Sequence, residues 1–386
     1  MAAVAGSTVY SLIALSGVFR FQRYHRLPSG GYAPPVSLLK PLYGAERELE
    51  QNLESFCRQN YPSYEILFSV REESDAAAPI VRRLQQACPS LPMKLLVTGQ
   101  PLYLNAKVHG LEAMMEAARH EVLVISDSDV RVGPDYLRSV VAPLADPTVG
   151  LVTCISRGVP GHSLWSRLEA LGMSVPFVAG VLSAWVLEGM KFSLGPTMVI
   201  RKQQAREMGG FRCLADYLAD DFVLGQRVDR AGYRVVLSSH IPDHLVCNET
   251  MRASLRHRLR WERSSRYSRP LGYVGQVFTH SLPLALLAWI VAPAGNVFAF
   301  SLVGICLGAR AVLAWAVGWN LLRDPNFRKR WWLLPVQDLL SFAVWCWAFG
   351  GREIIWRGQL FRVRKGGKLE PVAAPAGKSS AIPTGS

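Results

Sequence analysis

At 386 residues the chain has room for two ordinary domains, half of it is hydrophobic, and 43 Lys and Arg against 29 Asp and Glu leave a formal net charge of +14. That excess calls for anionic partners, and its distribution narrows them: basic residues gather at 20–26, 252–269, 323–330 and 352–368, each beside a long apolar run. The placement argues against a nucleic-acid stripe and for positive-inside flanks of membrane segments, while seven scattered cysteines with no Cys-x-x-Cys argue against a disulfide framework or a zinc site.

Residues 2–19 are mostly apolar and are followed by Arg20, Arg23 and Arg26, the reverse of a signal peptide's charge order. Residues 1–21 are therefore expected to be a single anchor helix, with a cytoplasmic domain after it over 22–270. From 36 to 239 short apolar runs alternate with helical stretches. Strands are expected at 36–39, 65–70, 94–97, 122–126, 150–155, 198–201 and 233–238. Helices are expected at 46–58, 79–87, 106–119, 134–144 and 221–230. This alternation predicts an α/β domain with a mostly parallel central sheet and ligands at the carboxyl ends of its strands.

The stretch 164–190 carries Trp165, Leu168, Leu171, Met173, Phe177, Leu182 and Trp185 with few charges. It reads either as core or as an interfacial element admitting a lipid. Beyond 270, the runs 274–293 and 297–319 are long enough to span a bilayer, 331–350 is a third candidate, and 351–386 reads as a basic cytoplasmic or flexible tail. Three full spans would put that tail outside, so one of the three is expected to be re-entrant or interfacial. Arg310 and Asp338 interrupt two of the runs, either for function or simply to pair.

The sharpest local signal is 122–129, Val-Leu-Val-Ile-Ser-Asp-Ser-Asp, an apolar strand ending in two carboxylates. In extended backbone Asp127 and Asp129 share a face, where they suit a divalent ion completed by phosphate oxygens, though a solvated turn would also explain them. Asp220 and Asp221 open a helix, where acidic residues are favoured by the macrodipole whatever their function. His257-Arg258-Leu259-Arg260-Trp261 lies in an Arg-rich segment. A membrane-surface helix explains its charge but not the Arg-Trp pair.

In this order the residues resemble the ceramide glucosyltransferases and their close bacterial relatives, a branch of the inverting GT-A glycosyltransferases related to cellulose and hyaluronan synthases. That family carries an Asp, then Asp-x-Asp or a shortened form, then an acidic-Asp pair, then (Gln/Arg)-x-x-Arg-Trp. Asp75, Asp127 with Asp129, Asp220-Asp221 and Arg260-Trp261 follow that sequence, with His257 where Gln or Arg usually stands. Further likeness lies at 36–42, 60–65, 105–107 and 217–221.

The resemblance, over 36–264, implies a GT-A domain with an N-terminal anchor and C-terminal membrane helices. It implies Asp75 and Lys107 at the nucleotide of a UDP-sugar and Asp127 and Asp129 on Mg²⁺ or Mn²⁺. Asp221 is implied as the base, with His257, Arg260 and Trp261 at the junction of diphosphate and acceptor. The acceptor it implies is a membrane lipid, ceramide or a hopanoid-like one, at a bacterial inner membrane or a Golgi or ER membrane. A processive polysaccharide synthase shares these motifs but usually has more membrane helices and Gln at the 257 position. A degenerate scaffold would be marked by loss of Asp127, Asp129 or Asp221, and all three are present.

Overall fold

The computed structural model describes residues 1–24, 31–293, 295–356 and 359–372, so Arg26 and the end of the expected tail lie outside the described residues. The apolar runs become β1 (Val36–Pro41), β2 (Tyr64–Val70), β3 (Met93–Val97) and β4 (Val122–Ile125). Short strands β5 (Val130–Arg131) and β7 (Arg157–Val159) flank β6 (Val149–Thr153), and β8 (Met198–Arg201), β9 (Arg234–Leu237) and β10 (Asp243–Leu245) follow. Seven of them form one sheet in the order β3-β2-β1-β4-β8-β6-β9. Only β8 runs against its neighbours, so the sheet is mixed but mostly parallel.

Both faces of this sheet are covered, which is why most of its strands read as largely apolar runs. Leu39, Leu123, Ile125 and Ile200 pack into one core with the helix Ala106–Ala117. Leu38, Val122, Val124 and Val199 pack into the other with the helices Leu49–Cys57 and Ala77–Ala87. A second sheet, β5-β10-β7, was not legible from the sequence; it sits at the carboxyl end of β4.

The N-terminal helix Ala2–Tyr24 is more than an anchor. Ala14, Val18 and Phe21 are buried in the first core with Val178 and Leu182, and a Cβ on Gly17 would come within 2.9 Å of Leu182 O. The 164–190 stretch is correspondingly core on one side. It runs as Leu164–Gly172, a π-helical turn Met173–Phe177 at Pro176, and Val178–Glu188, with Leu168, Leu171, Val175 and Leu182 buried and Phe177 and Leu187 exposed.

Three helices among the described residues are long and apolar enough to cross a membrane: Ala2–Arg23, Leu164–Glu188 and Val297–Leu321. Two of the expected spans differ. The 274–293 run is broken at His280 into Pro270–Thr279 and Ser281–Val291, bent by 64°. The 331–350 run holds a helix of 15 residues, Leu334–Ala348, about 22 Å long at 1.5 Å per residue and short of a ~30 Å hydrocarbon core. Pro335 at its start and the Gly350-Gly351 turn after it set those limits.

Between these helices Arg310 and Asp338 form a two-pronged pair, with Arg310 Nη2 at 2.8 Å and Nε at 3.1 Å from the two carboxylate oxygens, both residues buried. The two interruptions in the apolar runs therefore satisfy one another. Arg310→Met is expected to destabilise the chain by about 3–5 kcal/mol, since it strands Asp338 without a partner. Arg310→Met with Asp338→Leu should recover most of that loss. Thermal unfolding in detergent reads both, and equal losses in the single and double variants would refute the coupling.

The segment expected as a tail folds in part. β11 (Glu353–Trp356), β12 (Gln359–Val363) and β13 (Leu369–Pro371) make an antiparallel sheet whose Ile354, Phe361, Val363 and Leu369 close over Leu218. Two backbone bonds fasten it there, Leu369 N–H to Asp216 O at 2.7 Å and Leu218 N–H to Gly367 O at 3.3 Å.

Candidate active site

β4 ends at Ile125, so Asp127 and Asp129 are brought together by a turn and not by strand alternation; Val130 N–H reaches back to Asp127 O at 3.4 Å. From the other side of the sheet's carboxyl edge come Lys107, in the first turn of the helix Ala106–Ala117, and Asp220-Asp221, in the first turn of the helix Asp220–Arg230. Lys107 Nζ lies 2.7 Å from Asp127 Oδ1 and 3.3 Å from Asp220 Oδ2. Asn105 braces the join by capping the lysine's helix, its side-chain oxygen accepting from Lys107 N–H and Val108 N–H. Its Nδ2 donates to Tyr217 O at 3.0 Å.

Asp220 is thus committed to Lys107, whereas Asp221 is not. Asp221 Oδ1 accepts from Phe222 N–H at 2.8 Å, a first-turn contact, and Ser193 Oγ donates to the Asp221 carbonyl at 2.6 Å. The N-cap is Ala219, so neither acidic residue caps the helix by its side chain. Asp221 Oδ2 and Asp127 Oδ2 both lie beside Gly195: a Cβ on Gly195 would stand 3.0 Å from Asp127 Oδ2 and 3.2 Å from Asp221 Oδ2. Glycine leaves open the gap that any other side chain would fill. Burial, reinforced by Asp220 beside it, pushes the Asp221 carboxyl up to about 6.

The two β4 carboxylates are held differently. Burial pushes Asp127 up against the opposing pull of Lys107. Burial acts on Asp129 the same way, but it is outweighed by His244 and Lys40, which hold Asp129 below the usual range. His244 Nε2 lies 3.1 Å from Asp129 Oδ2, and Lys40 Nζ donates to Asp127 O at 2.5 Å. Burial lowers Lys40 to about 7, and Lys107 is driven upward because Asp127, Asp220 and Asp221 outweigh its burial. Asp129 Oδ1 is buried and has no hydrogen-bond partner among the described residues, and Asp127 Oδ2 lies beside Gly195. Two carboxylate oxygens are therefore left for a cation. Among the described residues no three His, Cys, Asp or Glu side chains are grouped to hold one unaided.

Asp75 stands apart from this cluster, at the turn after β2. Its oxygens accept from Gly44 N–H at 3.0 and 3.2 Å and from Ala77 N–H at 2.8 Å, which pins the β1 loop to the start of the next helix. Gly44 has φ +70°, a conformation that favours glycine.

His257, Arg260 and Trp261 lie on the helix Met251–Ser268. His257 Nδ1 sits 2.6 Å from Glu169 Oε1, and Glu169 also accepts from Asn248 Nδ2 at 2.8 Å and Ser254 Oγ at 2.5 Å. The Trp261 ring is 4.8 Å from the His257 ring and 6.0 Å from that of Phe177, at the π-turn of the apolar helix. Histidine at this position is thus seated on a carboxylate of the membrane-side helix.

Sequence reasoning gave no role to Lys40, His244, Glu169 or Gly195. Lys40 and Glu169 had a signal, each being a charge inside an apolar run. His244 and Gly195 had none, because only pairing of β10 with β5 brings His244 to Asp129, 115 positions away.

The sheet order and the carboxylates at its carboxyl edge define a GT-A glycosyltransferase domain with apolar helices at both ends. The same fold is seen in a mannosyltransferase from Pyrobaculum calidifontis, solved in complex with GDP-Man and Mn²⁺. That match has a TM-score of 0.55 and 21% identity, and covers 89% of this chain and 98% of that one. The family model of glycosyl transferase family 21 matches residues 1–369, and the chain belongs to that family. Ceramide glucosyltransferase 1 of Caenorhabditis elegans is 28% identical over 244 residues, covering 62% of this chain and 52% of that protein. Ceramide glucosyltransferase 3 of the same organism is 24% identical over 389 residues, covering 93% and 79%. The chain spans about half the length of the first of these relatives.

Proposed function

We propose that this chain transfers a hexose, glucose, from a UDP-sugar to the hydroxyl of a membrane lipid, ceramide, with inversion to a β-glycoside. The observation that carries the reading is the meeting of Asp127 Oδ2 and Asp221 Oδ2 beside Gly195, where a Cβ would touch both. Inverting transfer needs the leaving diphosphate and the proton acceptor on opposite faces of the anomeric carbon, and Asp127 and Asp221 would serve one face each. The names of the relatives support the sugar and the acceptor.

Asp127 Oδ2 and Asp129 Oδ1 would hold Mg²⁺ or Mn²⁺, which as two carboxylates they could do only together with donors from outside the chain. When bound, such an ion neutralises charge developing on the departing diphosphate. The chain's own residues do the rest. Lys107, kept protonated by three carboxylates, faces the same phosphates, and Asp75 fixes the Gly44 loop on the nucleotide side. Asp221, with its carboxyl held near neutrality by burial, takes the proton of the acceptor hydroxyl. His257, Arg260 and Trp261 join the diphosphate side to the apolar helix Leu164–Glu188, along which a lipid hydroxyl would arrive; Glu169 holds His257 in place. The catalytic domain faces the cytoplasm, where nucleotide sugars are available, and the basic flanks of the apolar helices support that side.

The test offers the detergent-purified full chain UDP-glucose or UDP-N-acetylglucosamine with ceramide or a hopanoid alcohol, and identifies products by mass spectrometry. β-Glucosylceramide is the expected product. Transfer to the hopanoid alone would replace ceramide by another lipid, and transfer to none would overturn the reading.

A further inference from the structure

The C-terminal sheet has a second face. Along β12, Phe361 and Val363 are buried against Leu218, so Arg362 and the following Arg364 project from the opposite side. An open hollow of about 460 Å³ lies there, lined by Arg263, Gly351, Arg352, Glu353, Arg362 and Arg364. Four guanidinium groups meet one carboxylate in it. Arg362 is 3.3 Å from Glu353, and Arg364 is 2.6 Å from Glu370 just outside. Counting both acids still leaves two positive charges in excess. Arg263 Nη2 donates to Gly350 O at 2.8 Å and its Nη1 to Glu353 O, so its head is fixed in the wall. The Arg352 guanidinium is exposed and has no hydrogen bond or ion pair among the described residues.

The position of the hollow matters as much as its charge. It opens at Gly351, directly after the short apolar helix Leu334–Ala348 and two to four residues beyond the exposed rings of Trp347 and Phe349. Exposed aromatic side chains at the end of an apolar helix mark the headgroup level of a bilayer. Arginine forks match phosphate oxygens two at a time and hold them more specifically than lysine does. Basic pockets at that level, beside apolar helices, suit anionic headgroups.

We propose that this hollow binds a phosphate group, carried by an anionic lipid headgroup or free in solution. None of its lining residues belongs to the Asp127, Asp129 and Asp221 site, so the inference stands whatever sugar or acceptor the chain uses. The sheet that bears it is also the one fastened to residues 216–218, immediately before Asp220. A lipid phosphate held here would moor at the membrane surface the support from which the Asp220–Arg230 helix starts.

The test uses the full chain in a neutral detergent. Native mass spectrometry titrates it with dioleoylphosphatidylglycerol and with dioleoylphosphatidylcholine, and calorimetry titrates it with inorganic phosphate. Arg352→Gln removes a cation whose side chain has no partner among the described residues, and Arg352→Gln with Arg362→Gln removes two. A headgroup-level charge contributes about fivefold in affinity, so the single variant is expected to weaken phosphatidylglycerol binding about fivefold and the double variant about 20-fold. Arg352→Lys should fall between wild type and Arg352→Gln. Preference for phosphatidylglycerol over phosphatidylcholine, lost in the variants, supports the site with lipid as its source. Inorganic phosphate binding that weakens in the same order, without lipid preference, supports it with free phosphate as the source. Variants that keep a wild-type thermal midpoint and bind both probes as tightly as wild type would overturn it.

Discussion

Asp221→Asn is expected to lower turnover by about 10²–10⁴-fold while leaving UDP-glucose affinity close to wild type, because general-base help acts on the acceptor proton and not on the donor. The substitution is nearly isosteric, and Asn Oδ1 still accepts from Phe222 N–H, so the helix start should survive. A purely structural role in the first helical turn therefore predicts almost no change. Asp220→Asn is the instructive comparison. It weakens the grip on Lys107 and should alter donor affinity as well as rate. The pH profile adds a second readout. Burial and Asp220 raise the Asp221 carboxyl to about 6, so the group is an available base above that pH and protonated below it. Wild-type turnover should fall on the acid side with an inflection near pH 6. Asp221→Asn should lack that limb, and normal turnover in this variant would remove Asp221 from the mechanism.

Asp129→Ala is expected to abolish most turnover, by about 10²–10³-fold or more, and to weaken Mn²⁺ binding in the presence of UDP. Asp129 supplies a buried carboxylate oxygen that no donor among the described residues satisfies, and His244 and Lys40 hold the group below the usual carboxylate range against its burial. With Asp127 Oδ2 it makes the two-carboxylate arrangement that suits an ion shared with diphosphate. Excess EDTA should inactivate the wild type, and Mg²⁺ or Mn²⁺ should restore it. Electron paramagnetic resonance of Mn²⁺ with UDP reads the binding without reference to turnover. Full activity in EDTA, or unchanged Mn²⁺ binding by Asp129→Ala, would contradict the assignment. Lys107 complicates a matching experiment at Asp127, since Asp127→Ala also takes the nearer of two paired carboxylates from a buried ammonium, leaving it Asp220, and would lower stability together with rate.

Much of the central sheet was legible in the chain. β1, β2, β4, β6 and β8 are buried on both faces and therefore read as largely apolar runs within a residue or two of their observed ends. The acidic and Arg-Trp motifs were equally legible, since each is local and their order is carried along the chain. The C-terminal sheet left a weaker trace. Phe361-Arg362-Val363-Arg364 has the period-two alternation of a half-buried strand, but its charge reads first as a basic tail.

What the residues alone determined, then, was the acidic and Arg-Trp motifs and the sheet edge on which Asp127 and Asp129 would stand, because hydrophobic periodicity and short motifs are properties of neighbours in sequence. Only the tertiary structure decided what each of those groups meets. Asp220 and Asp221 are chemically alike and adjacent, yet one is tied to Lys107 while the other faces the Gly195 gap. His244, Glu169 and Gly195 reach Asp129, His257 and Asp127 across separations of 115, 88 and 68 positions, the last being the difference between 195 and 127. Ionisation at such a site depends on burial and on charges brought from distant elements. Both arise only when the sheet closes and the helices pack against it.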